Sequence, residues 1–472
     1  RSSWFQLRLN PFISSSPGIE FRTFGIMDST GLGSDSESTT KPKGYPGRWQ
    51  FPKDPDKCCI YRVNASLRRV NAEAYTPQLV IIGPLHHHLK SQALRSLGDI
   101  TNTKSMGYVN LEEHKKIYLV NFAERLVDGS EIIDGFRRTI ERHEERIRES
   151  YSESTTWIES SKFVEMILHD SVFILEFLLT RFFVIYGTKT GDPLIDEPGL
   201  TVTIDSDLML LENQLPYFIL HNLFHPIFPR LVQNMTFRES IIKYFGYTDK
   251  IGDDSKFSHF TDLARCVRVE SLQSPDQRIY RPLEHVFNAD KLHSGGVKFE
   301  ALEEEFSLVV RFENGCLKMP RLVIHDNSEM ELRNIMALEQ CHYPYTAHVS
   351  SYVEFLDYLI DTDKDVDLLV EKGIIKNAIG QPSSVAEMVN KLGLGINHCG
   401  SYYYDIADKV NAHYSNPLTR SLAFLKRVYF GNMWIGTATV AATLLLLMTL
   451  VQAVSSVYQL VQAKNSLGKK KV

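Results

Sequence analysis

Three groups of residues in this 472-residue chain carry side chains able to do chemistry. His86, His87 and His88 could each ligate a divalent metal through an imidazole nitrogen. Adjacent positions on a regular element cannot all converge on one tetrahedral ion, and no cysteine or further histidine stands at the usual short ligand spacing. The triplet therefore reads as a surface turn after Gly83-Pro84, with a metal site only its weak alternative. Asp170 and Glu176 could form an acid/base pair, but six residues place them about 120° apart around a helix. Glu212, Asn213 and Gln214 sit between Leu210-Leu211 and Leu215, directly before Pro216. In a buried helix interrupted by that proline, such side chains can satisfy backbone groups the proline frees, so structural use is preferred to catalysis. No phosphate loop, G-x-G-x-x-G or G-x-S-x-G elbow occurs. Cys58, Cys59, Cys266, Cys316, Cys341 and Cys399 contain no C-x-x-C pair, which suggests neither a disulfide framework nor a zinc knuckle. The expectation is a protein that is not an enzyme, with no catalytic residue, cofactor or metal to assign.

The elements that would position these residues follow from periodicity. Ile60, Val63, Leu67 and Val70 repeat at helical spacing between Lys57 and Tyr75, and Pro77 ends that pattern. A short apolar run, Leu79 to Ile82, leads into the histidines. From Asn110 to Tyr151 the spacing predicts helix again, closing in the mixed-charge ERHEERIRES. Phe163 to Tyr186 is apolar enough to raise a membrane span, but Glu165, Asp170, Glu176 and Arg181 favour a central core helix. Thr201 to Ile204 is expected as a short strand, with Asp205 or Ser206 capping a helix over Leu208 to Leu215. Polar, glycine-containing sequence at Thr248 to Lys256 and Ser274 to Asp276 marks an internal boundary. Beyond it Val297 to Phe299, Ser307 to Phe312 and Cys316 to Ile324 read as short strands, with Asn314-Gly315 as a hairpin turn. Helices resume from Glu331. The fold class is therefore mainly α with a small antiparallel β element.

Near its end the chain reads WIGTATVAATLLLLMTLVQAV, from Trp434 to Val454, without a charge. About 21 residues at about 1.5 Å each match the hydrocarbon thickness of a bilayer. Lys426 and Arg427 precede the span and Lys464, Lys469, Lys470 and Lys471 follow it, so both ends are anchored by cations. The lipid bilayer is thus an expected partner. A net charge of -5, with 43% hydrophobic and 23% charged residues, excludes bulk disorder and a basic nucleic-acid surface. Residues 1–26 carry serines and arginines without an acid before Glu20, and read as an incomplete or over-extended reading frame or as a transit peptide. The flanking charges are nearly balanced and set no orientation. A span emerging only after synthesis of the domain, with no apolar secretory signal, favours a cytosolic domain on a plasma-membrane or endomembrane tail anchor, and a lumenal or extracellular domain is the alternative. The sequons at Asn64 and Asn234 are then unused.

Several phrases occur together: YRVNASLRRVNAEAYTPQLVIIGPLHHH, KFVEMILHDSVFILEFLL, DLMLLENQLPYFIL, GVKFE, ELRNIMALEQC and SYVEFLDYLIDTDKDVDLLVEKGII, followed by the span. In kind and order they resemble the plant family catalogued as domain of unknown function 247, over about Cys58 to Leu460. Asn64 stands where that family usually has proline, and HFTDLARCVRV and KLHSG replace two other phrases, as in a divergent member. The resemblance implies a largely helical plant protein with a C-terminal membrane anchor. It also implies a recognition or signalling role, since some grass members are implicated in self-incompatibility. The organisation expected is a lead at 1–56, a globular domain at 57–429 with an internal boundary near 248–276, an anchor at 430–461 and a basic tail at 462–472. The function expected is interaction with an unidentified protein partner at a membrane, with a membrane-tethered hydrolase as the alternative.

Overall fold

The computed structural model describes residues 45–50, 54–96, 103–183, 188–272, 281–397, 399–429 and 433–468. The expected lead before residue 45, the Ser274 to Asp276 stretch and the terminal lysines lie outside them.

The first half is built on three helices, Thr103–Arg125, Gly129–Glu149 and Ser160–Phe183, packed pairwise against one another. In Gly129–Glu149 the buried residues Ile133, Phe136, Ile140 and Ile147 recur at helical spacing, and charged residues cover the remaining face. Ser160–Phe183 is the central core helix, with Phe163 to Leu168 and Ser171 to Leu179 almost wholly buried. Its carboxylates, which argue against a second span, each meet a cation on a neighbour. Asp170 lies 2.6 Å from Lys115, Glu176 2.7 Å from Arg125 and Glu165 2.5 Å from Arg137. The expected Asn110 to Tyr151 helix is two helices. It breaks before Gly129, where a Cβ would overlap the Ala123 carbonyl at 1.8 Å.

Two other local expectations give way. Lys57 to Tyr75 is not one helix: it holds the short helix Ala65–Val70 and the single turn Glu73–Tyr75, with the turn Pro55–Lys57 at its start. Asn64 caps that helix, its Oδ1 accepting the Ser66 and Leu67 N–H groups at 3.0 Å. Thr201 to Ile204 is not a strand but part of the helix Pro198–Asp207, which Pro198 starts at a position needing no N–H partner. Leu208 to Leu215 is in turn not a helix. Its backbone is held by side chains, and Pro216 leads into a new helix, Tyr217–Phe224.

The β element comprises β1 (Lys298–Leu302), β2 (Arg311–Glu313), β3 (Cys316–Pro320), β4 (Leu322–Ile324) and β5 (Ile375–Asn377). The hairpin β2–β3 is antiparallel, turning through Asn314 and Gly315 at φ 51° and 74°. β1 adds to β3 in parallel register, Phe299 opposite Leu317, and β4 pairs with β5 in parallel. The three-stranded sheet β1-β3-β2 is therefore mixed around its antiparallel hairpin, and β4-β5 is a separate two-stranded sheet. Helices Ala289–Ser294, Asp363–Glu371 and Tyr404–Ser415 pack against the strands, and Phe260–Val269, Ser328–His342 and His348–Leu359 pack on one another. A continuous apolar core runs from Cys59 to Val410 and includes Phe257, Phe260 and Leu263 within the 248–276 stretch.

The helix Met433–Gly468 is different in kind. Over Gly436–Gln462 it is apolar enough to cross a membrane and none of it is buried.

Candidate functional site

The residues singled out by type converge on the extended segment Gln78 to Gly83, which crosses the protein interior without a β partner. Side chains supply what a neighbouring strand would. Asp207 accepts the Gln78, Leu79 and Val80 N–H groups at 2.7 to 2.8 Å. Asn213 accepts the Ile82 N–H at 2.8 Å and donates to the Val80 carbonyl at 3.0 Å. Lys115 donates to the Ile81 carbonyl at 2.6 Å, and Asp170 accepts the Gly83 N–H at 2.8 Å. Buried backbone polar groups demand partners, and here each partner is a specific side chain. Burial pushes the Asp207 carboxyl up to about 7 against the pull of its three N–H bonds. Gln214 ties the same region together, donating to Leu208 and Leu210 carbonyls and accepting the Phe260 N–H at 3.0 Å.

Glu212 is the centre of an ionic knot. Its carboxylate accepts the Val63 N–H at 2.7 Å and an Arg62 N–H at 2.7 Å, and it also pairs with the Arg68 guanidinium. Arg62 in addition grips Glu153 with two bonds, at 2.9 and 2.7 Å. Burial would raise the Glu212 carboxyl, but the His86 contact and the Arg62 and Arg68 charges hold it down at about 2. Glu212 and Asn213 thus serve backbone and charge partners brought from distant segments, and Gln214 joins the nearby Leu208 and Leu210 carbonyls to the distant Phe260 N–H.

The histidine triplet does not form a surface turn. His86 is 3% exposed with Nε2 3.2 Å from Glu212, and burial pushes its imidazole down, toward the neutral form. His87 faces the Trp157 ring at 5.8 Å, and His88 is half-buried at the start of the helix His87–Arg95. Among the described residues no three metal-ligating side chains stand close enough to hold an ion. Asp170 and Glu176 are likewise separated, each on its own cation.

What linear reading missed is an open groove of about 720 Å³ on the surface beside the Tyr217–Phe224 helix. Its walls pair arginines with aromatic faces. Arg146 lies 4.0 Å from the Phe218 ring centre and Arg238 5.0 Å from that of Phe257. Tyr217 packs on Phe257 at 4.3 Å, and its hydroxyl is shut from water with no hydrogen-bond partner among the described residues. Burial pushes that hydroxyl up to about 12, so it is a donor at neutral pH. Asp253, Asp254 and Lys256 form the charged rim. No motif signals this arrangement, because its residues come from five separate stretches of chain.

Residues 60–448 match the family described as "Plant protein of unknown function", DUF247. The chain belongs to that family. The DUF247 region thus takes in the clamped segment, the knot, most of the groove and the first half of the apolar helix. A UPF0481 protein of Arabidopsis thaliana is 24% identical over 446 residues, covering 88% of this chain and 89% of the relative. A putative UPF0481 protein of the same plant is 26% identical over 214 residues, or 44% of this chain and 40% of that one. No solved structure is significantly similar to the chain.

Proposed function

We propose that this DUF247 protein is a single-pass membrane protein whose helical domain recognises a protein partner through the groove at Tyr217, Phe218 and Phe257. The observation that carries the reading is the composition of that groove. Arginine laid over aromatic rings, with a charged rim, is the makeup of protein-binding hot spots, where rigid side chains bind at low entropic cost. Membrane attachment is supported by the apolar stretch Gly436–Gln462, which is long enough to cross a bilayer and is not buried among the described residues. Recognition of the self-incompatibility kind, which the family resemblance implies for some grass members, is one form this role takes.

Proximity labelling from the intact anchored protein tests the reading. Phe218→Ala with Arg238→Ala should remove specific neighbours from the labelled set while leaving membrane association and melting temperature unchanged. A labelled set identical to that of the unaltered protein would refute the groove as the recognition surface.

A further inference from the structure

The segment joining the domain to the apolar helix has its own chemistry. The helix Pro417–Tyr429 leaves Leu418, Leu422 and Leu425 exposed at 74%, 66% and 46%, with Phe424 and Val428 also open. At about 100° per residue Leu418, Leu422 and Leu425 share an arc of about 60°, and Arg420 lies on the opposite side. From Lys409 to Val472 there is no aspartate or glutamate. A soluble surface seldom shows several large apolar side chains together without a partner.

Distance supplies the partner. Tyr429 and Met433 are four residues apart, at most about 14 Å of extended chain, and the apolar stretch begins at Gly436. With that stretch in a bilayer, Pro417–Tyr429 is held within reach of the headgroup layer. Its leucines then enter the acyl boundary and Arg420 is held at the level of the lipid phosphates.

Beside this helix a cleft of about 740 Å³ opens toward the helix Ala289–Ser294. Lys291 and Arg420 line it with Ser421, and Phe424 and Leu425 form its apolar wall, while Asp290 is the one carboxylate among the lining residues. Among the described residues neither Lys291 nor Arg420 makes an ion pair. Arg420 lies over the Tyr414 ring at 5.3 Å, and Tyr414 packs so closely on Gly295 that a Cβ there would sit 2.3 Å from the ring. The cleft floor is thus preorganised, with two cations that make no ion pair among the described residues on one side and an apolar wall on the other.

Resting on the membrane reading above, we propose that this cleft binds the headgroup phosphate of an anionic phospholipid. Lys291 and Arg420 contact the phosphate, and the acyl chains run along Phe424 and Leu425. The domain is thereby seated on the bilayer rather than swinging from its anchor.

Amide hydrogen exchange of the full chain in nanodiscs tests this. Exchange across Pro417–Tyr429 should be at least about tenfold slower in phosphatidylcholine discs containing phosphatidylserine than in phosphatidylcholine alone. Lys291→Gln with Arg420→Gln should abolish the difference without releasing the chain from the disc. Leu422→Glu with Leu425→Glu should remove protection in both lipids. Equal exchange in both lipids by a chain that stays in the disc would overturn the lipid site while leaving the anchor intact. Failure of the chain to enter discs at all would overturn both. Equal protection by soluble glycerophosphoserine, without lipid, would also overturn the assignment by making the ligand a free phosphate.

Discussion

Glu212→Ala should destabilise the domain by about 3 kcal/mol. The substitution strands the Val63 N–H and removes the buried partner of Arg68, while Arg62 keeps both bonds to Glu153. An orphaned buried N–H costs about 1–3 kcal/mol and a broken buried ion pair about 3–5 kcal/mol. Those figures overlap, because one carboxylate serves both. They fall at the low end, since the two guanidiniums remain 27% and 28% exposed and can rehydrate. Acid titration gives a second route to the same magnitude. A carboxyl lowered from 4.5 to about 2 contributes about 3 kcal/mol that is present above its unfolded value and is lost as pH falls toward 2. At about 2.1 cal/mol/K per residue, a region of nearly 400 residues has an unfolding entropy near 0.8 kcal/mol/K, so melting should drop by about 4 °C. Scanning calorimetry of the detergent-solubilised full chain is the assay. Glu212→Gln should lose less, because its amide oxygen still accepts the Val63 N–H. Unchanged melting of Glu212→Ala together with lost partner labelling would refute the structural assignment and make the knot a binding site.

Other expectations follow from single positions. Gly83→Ala should cost about 2 kcal/mol or more in the same melts, because Gly83 has φ +68° and a Cβ would lie 2.8 Å from the Gln214 carbonyl. Asn64→Pro should change stability by no more than about 1 kcal/mol in chemical denaturation. The Asn64 φ of -67° already suits proline, so reduced unfolded-state entropy offsets the lost cap. Deleting residues from Phe430 onward should move the protein into the soluble fraction with its melting intact, and persistence in carbonate-washed membranes would contradict a single anchor. Protease added to sealed microsomes should digest the domain, with Asn64 and Asn234 free of glycan. Full protection until detergent is added would reverse that orientation.

Most of the helical fold was legible in the sequence because its signals are local. Ile133, Phe136, Ile140 and Ile147 declare one buried face by spacing alone. Asn314-Gly315 declares a hairpin by backbone freedom. The uncharged run from Trp434 declares an apolar helix by composition and length. Where local propensity and tertiary demand disagreed, the sequence misled. Leu208 to Leu215 has the apolar content of a helix, but its side chains serve Gln78 to Gly83 and Val63, so the backbone turns to aim them. Lys57 to Tyr75 has helical spacing too, yet Ile60 pairs with Tyr151 in an isolated bridge instead. His86 and Glu212 are 126 residues apart in sequence and 3.2 Å apart in space. No spacing rule connects them, nor the five stretches that line the groove. Residue order determines which faces are apolar; only the packing of those faces decides which polar groups are sealed together and which are left open to a partner.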